Sequence, residues 1–146
     1  MTYYERRVSQ FILENIKFYN FLPNNVVIND YVDKLLKLST IITVYKNGKL
    51  AGFISYYDND IYKRSAFISL ILVDNHLLSK SLGRTLLTSC ISDLKSNEFK
   101  SLELKVKKDN HRAIKFYSKM KFIVSKEDDY FFTMVLDLDK ITRSAL

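Results

Sequence analysis

The chain has 146 residues, 47% of them hydrophobic, and 23 basic against 16 acidic side chains leave a net charge of +7. That length suits one compact domain, and frequent charges at near-zero mean hydropathy exclude a disordered chain. No stretch reaches the roughly 18–20 apolar residues of a membrane span, the start Met1–Arg7 lacks the basic-then-apolar order of a signal peptide, and the lone Cys90 excludes an internal disulfide and a thiolate zinc cage. A cytoplasmic protein with no metal and no membrane contact is the expectation.

In chain order, residues 4–19 read as an amphipathic helix with Val8, Phe11, Ile12, Ile16 and Tyr19 on one face, broken by Pro23. A short helix is expected over 30–38. Ile41–Tyr45 and Leu50–Tyr57 read as strands, and Asn47-Gly48 between them is a strong hairpin signal because both positions must take positive φ. Asp58-Asn59-Asp60 reads as a second turn. Ala66–Val73 is a nearly unbroken apolar run, as in a strand covered on both faces. Ser81–Leu94 reads as a helix burying Leu82, Leu86, Leu87, Cys90, Ile91 and Leu94. Leu102, Leu104 and Val106 alternate with Glu103, Lys105 and Lys107, the period of a strand. A helix follows, capped by Asp109 or Asn110, with Ala113, Ile114, Tyr117 and Met120 at three-and-four spacing. Phe122–Ser125 and Tyr130–Asp137 make a last pair of strands. Tyr130–Leu136, read as a long apolar edge, suggests a homodimer through these strands. The order α-α-β-β-β-α-β-α-β-β predicts an α/β mixed sheet in a single domain, antiparallel in its first half, with helices on both faces.

Charge is uneven. Eleven of the basic residues but only four of the acidic ones fall between Leu78 and Lys121, so this stretch alone carries +7 and the rest balances. Such clustering suits a polyanionic partner, whether a phosphorylated cofactor or nucleic acid. Against nucleic acid, the basic residues are not interleaved with exposed aromatics and no binding motif of that class is present.

Two motifs carry a resemblance. Val106, Asn110, Ala113, Phe116-Tyr117 and Phe122 follow a V-x3-N-x2-A-x2-F-Y-x4-F pattern, and Leu70-Ile71-Leu72-Val73 leads through a loop into Ser79-Lys80-Ser81-Leu82-Gly83-Arg84-Thr85. Together they resemble the acetyl-CoA-binding core of GNAT-type (GCN5-related) N-acetyltransferases over about residues 70–122, and the element order extends the resemblance to about 30–138. The second motif departs from the family pattern. Leu78 stands where Arg or Gln is usual, Ser81 where the first glycine is usual, and Gly83 keeps the second position. Lys121 replaces the glycine before the last aromatic. The strand that usually opens the fold is not legible before the first helix.

The resemblance implies a mostly antiparallel sheet with a central splayed parallel pair. It implies that the pyrophosphate of acetyl-CoA sits on the helix start at Leu78–Thr85, where free backbone N–H groups and the positive dipole end receive anions. Lys80, Arg84 and the hydroxyls of Ser79, Ser81 and Thr85 are candidate donors. The pantetheine amides are expected on the backbone of Ile71, Leu72 and Val73, with Asn110, Ala113 and Phe116 beside the arm and a backbone N–H near Val73 polarising the thioester carbonyl. Tyr117 is the expected general acid for the departing thiolate. The base stays open. The strand over 66–73 holds no acid before Asp74, and Lys105 occupies another usual position; Glu103, on the same strand face as Lys105, is a candidate, followed by Asp74, His76, water or an amine that arrives neutral. Glu103 as a surface partner of Lys105 or Lys107 is the competing reading.

The sequence thus reads as an acetyl-CoA-dependent N-acetyltransferase acting on a small amine-bearing acceptor. Aromatics of the first 60 residues, among them Tyr3, Tyr4, Phe11, Phe18, Tyr19, Phe21, Tyr31, Tyr56 and Tyr57, are expected in part to line the acceptor pocket. They suit an amino sugar, a nucleotide-linked sugar or a peptide amine. The alternatives are a degenerate fold of the same family that binds CoA or a protein without catalysis, and a basic nucleic-acid-binding module.

Overall fold

The computed structural model describes residues 2–15, 28–77 and 81–142. Its elements are α1 (Tyr3–Asn15), α2 (Ile28–Leu38), β1 (Thr40–Lys46), β2 (Lys49–Asp60), β3 (Ser65–Val73), α3 (Leu82–Ser96), β4 (Ser101–Lys107), α4 (His111–Lys119), β5 (Ile123–Glu127) and β6 (Phe131–Asp137), in the expected order. Short 3-10 turns cover Asn75–Leu77 and Leu138–Lys140. The strands form one mixed sheet in the order β1-β2-β3-β4-β6-β5, in which β3 and β4 run parallel. The chain divides into two compact units, Met1–Tyr56 with Ser69–Cys90 and Tyr57–Ile68 with Ile91–Leu146.

In the first unit, β1 and β2 form the expected hairpin. Lys46 pairs with Lys49, and Asn47 and Gly48 take φ of 53° and 77°, the mirror-image turn whose twist matches that of the strands. Val8, Phe11 and Ile12 of α1 and Val32 and Leu35 of α2 join Leu50, Phe53, Leu70 and Leu72 in one buried cluster. Phe11 meets Phe53 edge-on at 6.2 Å between ring centres. Phe11 and Tyr56 are therefore core residues and line no acceptor pocket. Ile16, Phe18, Tyr19, Phe21 and Pro23 lie outside the described residues.

In the second unit, the expected turn at Asp58–Asp60 moves. β2 runs through Asp60, and Ile61–Arg64 make the reversal. Asp60 drives this, because its carbonyl accepts from Arg64 N at 3.0 Å and its Oδ1 from Lys63 N at 3.1 Å, with Arg64 at φ 54°. Leu102, Leu104 and Val106 are buried while Glu103, Lys105 and Lys107 are not, as the alternation required. The expectation of an apolar edge at Tyr130–Leu136 fails. β6 lies between β4 and β5, paired on both sides, and β5 is the outer strand. Its apolar residues are apolar because the strand is internal.

Helices α3 and α4 end the same way. After α4, Lys121 N donates to Ser118 O at 3.1 Å and Phe122 N to Tyr117 O at 3.0 Å, with Lys121 at φ 78°. After α3, Glu98 N donates to Lys95 O at 3.0 Å and Phe99 N to Leu94 O at 2.9 Å, with Glu98 at φ 63°. These are Schellman motifs, which satisfy the last carbonyls and bring the residue beyond the turn onto the last helical turn. Tyr117 and Phe122 accordingly pack ring to ring at 5.6 Å. Lys121 thus keeps the backbone of the glycine it replaces. A non-glycine residue there costs about 1–2 kcal/mol, partly offset in the unfolded chain. Lys121→Gly should stabilise the protein by up to about 1 kcal/mol in urea unfolding; a variant less stable than wild type would mean the lysine side chain outweighs the backbone strain.

Candidate active site

The first unit carries the strand end and helix start expected to hold acetyl-CoA. β3 pairs with β4 only over Ser65–Phe67, with partners Ser101, Leu102 and Glu103, although β3 continues to Val73 and β4 to Lys107. Past the ladder, Ile71 is partly exposed and Leu72 and Val73 are buried. Gly52 of β2 makes room for this stretch, since a Cβ there would stand 2.9 Å from Leu72 O and 3.3 Å from Val73 Cα. Asp74 N donates to Ala51 O at 2.8 Å, which fixes where the strand ends.

Ser81 precedes α3 at φ 60°, the left-handed conformation glycine favours. The backbone path of a glycine is therefore present where the sequence departs from the family pattern. Thr85 N and Thr85 Oγ1 both donate to Ser81 O, at 3.1 and 3.2 Å. The Thr85 hydroxyl proton is thus engaged, whereas the N–H groups of Leu82, Gly83 and Arg84 lie in the first turn, ahead of the first bond made within the helix. Ser81, Arg84 and Thr85 are exposed, Gly83 is partly buried, and Leu82 is buried and offers only its backbone. Leu78, Ser79 and Lys80 lie outside the described residues.

Asn15 was not among the expected site residues. It is buried at the end of α1, donates from Nδ2 to Phe11 O at 2.9 Å and accepts from Asn75 N at 3.3 Å, tethering the loop after β3. A polar residue one helical repeat after Val8 on the apolar face was the available signal. Asp74 uses Oδ1 to accept from His76 N at 2.9 Å, so its carboxylate builds the turn, and His76 is exposed. Tyr31 of α2 reaches Ser69 of β3, 3.0 Å to Oγ and 3.3 Å to the carbonyl oxygen.

The second unit carries Tyr117, the expected acid, and Glu103, the candidate base. Asn110, not Asp109, caps α4, accepting from Ala113 N at 3.2 Å through Oδ1, which leaves its Nδ2 protons for another partner. Ala113, Phe116 and Tyr117 are partly buried, and the Phe116 and Tyr117 rings lie 5.3 Å apart. Tyr117 retains some exposed surface, but burial dominates around its hydroxyl and pushes it well above the ordinary phenol value of 10.0. Among the described residues no hydrogen bond engages that hydroxyl. Glu103 is partly buried at the last paired position of the β3–β4 ladder, opposite Phe67. The ion pairs Lys37–Asp33, Lys108–Glu127 and Lys140–Asp137 do not involve Glu103, and among the described residues neither Lys105 nor Lys107 holds it. A shallow cavity lined by Arg64, Lys95, Glu98, Phe99, Lys100 and Asp139 contains none of the expected site residues.

Among the described residues no group of three or more His, Cys, Asp or Glu could hold a metal ion, and no helix is long and apolar enough to cross a membrane.

The chain belongs to the acetyltransferase (GNAT) family, whose family model matches residues 10–122, and it is an N-acetyltransferase of that class. No curated protein matches it in sequence. Solved structures do. The ribosomal-protein-S18-alanine N-acetyltransferase from Escherichia coli shares 19% identity at a TM-score of 0.74, covering 92% of this chain and 90% of that one. The PaiA N-acetyltransferase from Thermoplasma acidophilum, solved with coenzyme A, shares 18% at 0.74, covering 91% and 92%. An N-acetyltransferase from Staphylococcus aureus Mu50 shares 20% at 0.70, covering 94% and 95%. At these identities the likeness shows a common fold.

Proposed function

We propose that this chain transfers an acetyl group from acetyl-CoA to a primary amine of a small acceptor or a peptide, in the cytoplasm. The observation that carries the reading is the parallel ladder that stops at Phe67–Glu103 while both strands run on. Ladder N–H and C=O groups past that point lack a β4 partner, and an arm rich in amides such as pantetheine can complete them. Ser81 at φ 60° and the N-terminal end of α3 suit a pyrophosphate. Bound acetyl-CoA supplies the activated acyl group. A backbone N–H of Ile71–Val73 polarises the carbonyl, Glu103 takes the proton of the amine, and Tyr117 gives its proton to the sulfur. Asn110 orients the arm through the Nδ2 protons its capping role leaves over.

The glycine-like backbone at Ser81 and Lys121 weighs against a degenerate, non-catalytic fold, because these two of the three departures from the family pattern preserve geometry. The test combines calorimetry with CoA and a thiol-release assay over a panel of amines. Gly83→Asp sets a side chain and a negative charge against the pyrophosphate. Affinity for acetyl-CoA should fall at least tenfold, or about 1.4 kcal/mol. Undiminished binding by a folded variant would remove the α3 start from the site. Salt-sensitive binding to generic DNA with none to CoA would favour the nucleic-acid module instead.

A further inference from the structure

The accessible row of β3 consists of Phe67, Ser69 and Ile71, each partly exposed, while Ala66, Ile68, Leu70 and Leu72 are buried. Past the last β4 pair, at Phe67, Ser69 is the only polar side chain in that row. We propose that the Ser69 hydroxyl, held in place by Tyr31, is the hydrogen-bond partner of the attacking primary amine. The proposal rests on the acetyl-transfer reading above and assigns the acceptor side of the same site.

Position supports it first. If the pyrophosphate sits at the start of α3, which follows β3, the arm of the cofactor meets Val73 before Ile71. Its acyl end then points toward Ser69, about 7 Å further back along the strand at 3.3 Å per residue.

Hydrogen bonding supports it second. Tyr31 Oη lies 3.0 Å from Ser69 Oγ and 3.3 Å from Ser69 O. With the phenol proton on the carbonyl oxygen, the serine proton is given to the phenol oxygen. Both Oγ lone pairs then remain, and the hydroxyl presents itself as an acceptor in a fixed rotamer. A neutral primary amine has two N–H groups and one lone pair. One N–H on Ser69 Oγ leaves the lone pair to attack the thioester carbonyl and the second N–H to leave with the base. Two residues 38 apart in sequence thereby build one side of the acceptor site.

The test uses wild-type protein, Ser69→Ala, Ser69→Thr and Tyr31→Phe, with glucosamine, spermidine and an alanine-initiated peptide as acceptors and CoA in calorimetry. Ser69→Ala should raise KM for the amine by about fivefold or more, as expected for a lost hydrogen bond to substrate, and should leave KM for acetyl-CoA and CoA affinity unchanged. Ser69→Thr keeps the hydroxyl and should restore the amine KM. Tyr31→Phe should raise the same constant by less. An unchanged amine KM in Ser69→Ala, with the wild type active, overturns this inference alone. An equal loss of amine and CoA binding also overturns it, since that marks the pair as a helix–strand tether. A wild type that neither binds CoA nor transfers acetyl overturns the acetyl-transfer reading and this inference with it.

Discussion

Tyr117→Phe should lower kcat by about a hundredfold or more while leaving KM for acetyl-CoA nearly unchanged. The substitution removes one oxygen and keeps the ring. The packing of that ring on Phe122 at 5.6 Å, and with it the end of α4, does not depend on the hydroxyl. Burial holds the phenol proton above its ordinary value, so the group is fully protonated across the physiological range and is available as an acid to a thiolate leaving in the same desolvated surroundings. The basic limb of the rate profile should therefore not come from Tyr117 at or below pH 10.0. Stability gives an independent reading. Below about pH 10 the phenol is protonated in both folded and unfolded chains, and its contribution is fully present. Above that, the unfolded chain ionises first, so stability is lost as pH rises through the higher folded value. Urea unfolding at pH 8 and 10.5 should show a larger drop for wild type than for the Phe variant. Wild-type turnover by Tyr117→Phe, under conditions where chemistry limits the rate, would remove Tyr117 as the acid.

Glu103→Gln should lower kcat/KM by roughly a hundredfold and flatten the acidic limb of its pH profile, because an amide cannot take the proton of the amine. The residue lies at the last paired step of the β3–β4 ladder and in none of the ion pairs of the described residues. Its removal should thus cost little stability, under about 1 kcal/mol, and the thermal midpoint should stay close to that of wild type. Asp74 is a weaker rival because its Oδ1 already holds the His76 amide. A Gln variant with full activity would leave water, or an amine that arrives neutral, as the route for the proton.

Periodicity and turn chemistry made most of the fold legible, because both are local. The Leu82–Leu94 stripe, the Leu102–Val106 alternation and the Asn47-Gly48 hairpin depend on neighbours a few residues away, and each is present as read. The Asn110-to-Phe122 motif marked α4 and its cap for the same reason. Strand partners are not local. An apolar run such as Phe131–Leu136 suits an exposed edge or an interior strand equally, and only its pairing with both β4 and β5 decided between them. Residue identity also hid conformation. Ser81 and Lys121 looked like departures at glycine positions, yet both take the left-handed region that glycine favours, Lys121 within the hydrogen bonds of its Schellman motif. The tertiary contacts of Tyr31 with Ser69 and of Asn15 with Asn75 join residues 38 and 60 apart. No spacing rule reaches that far, because such pairs meet only after α1 and α2 have buried their apolar faces with Leu50, Phe53, Leu70 and Leu72.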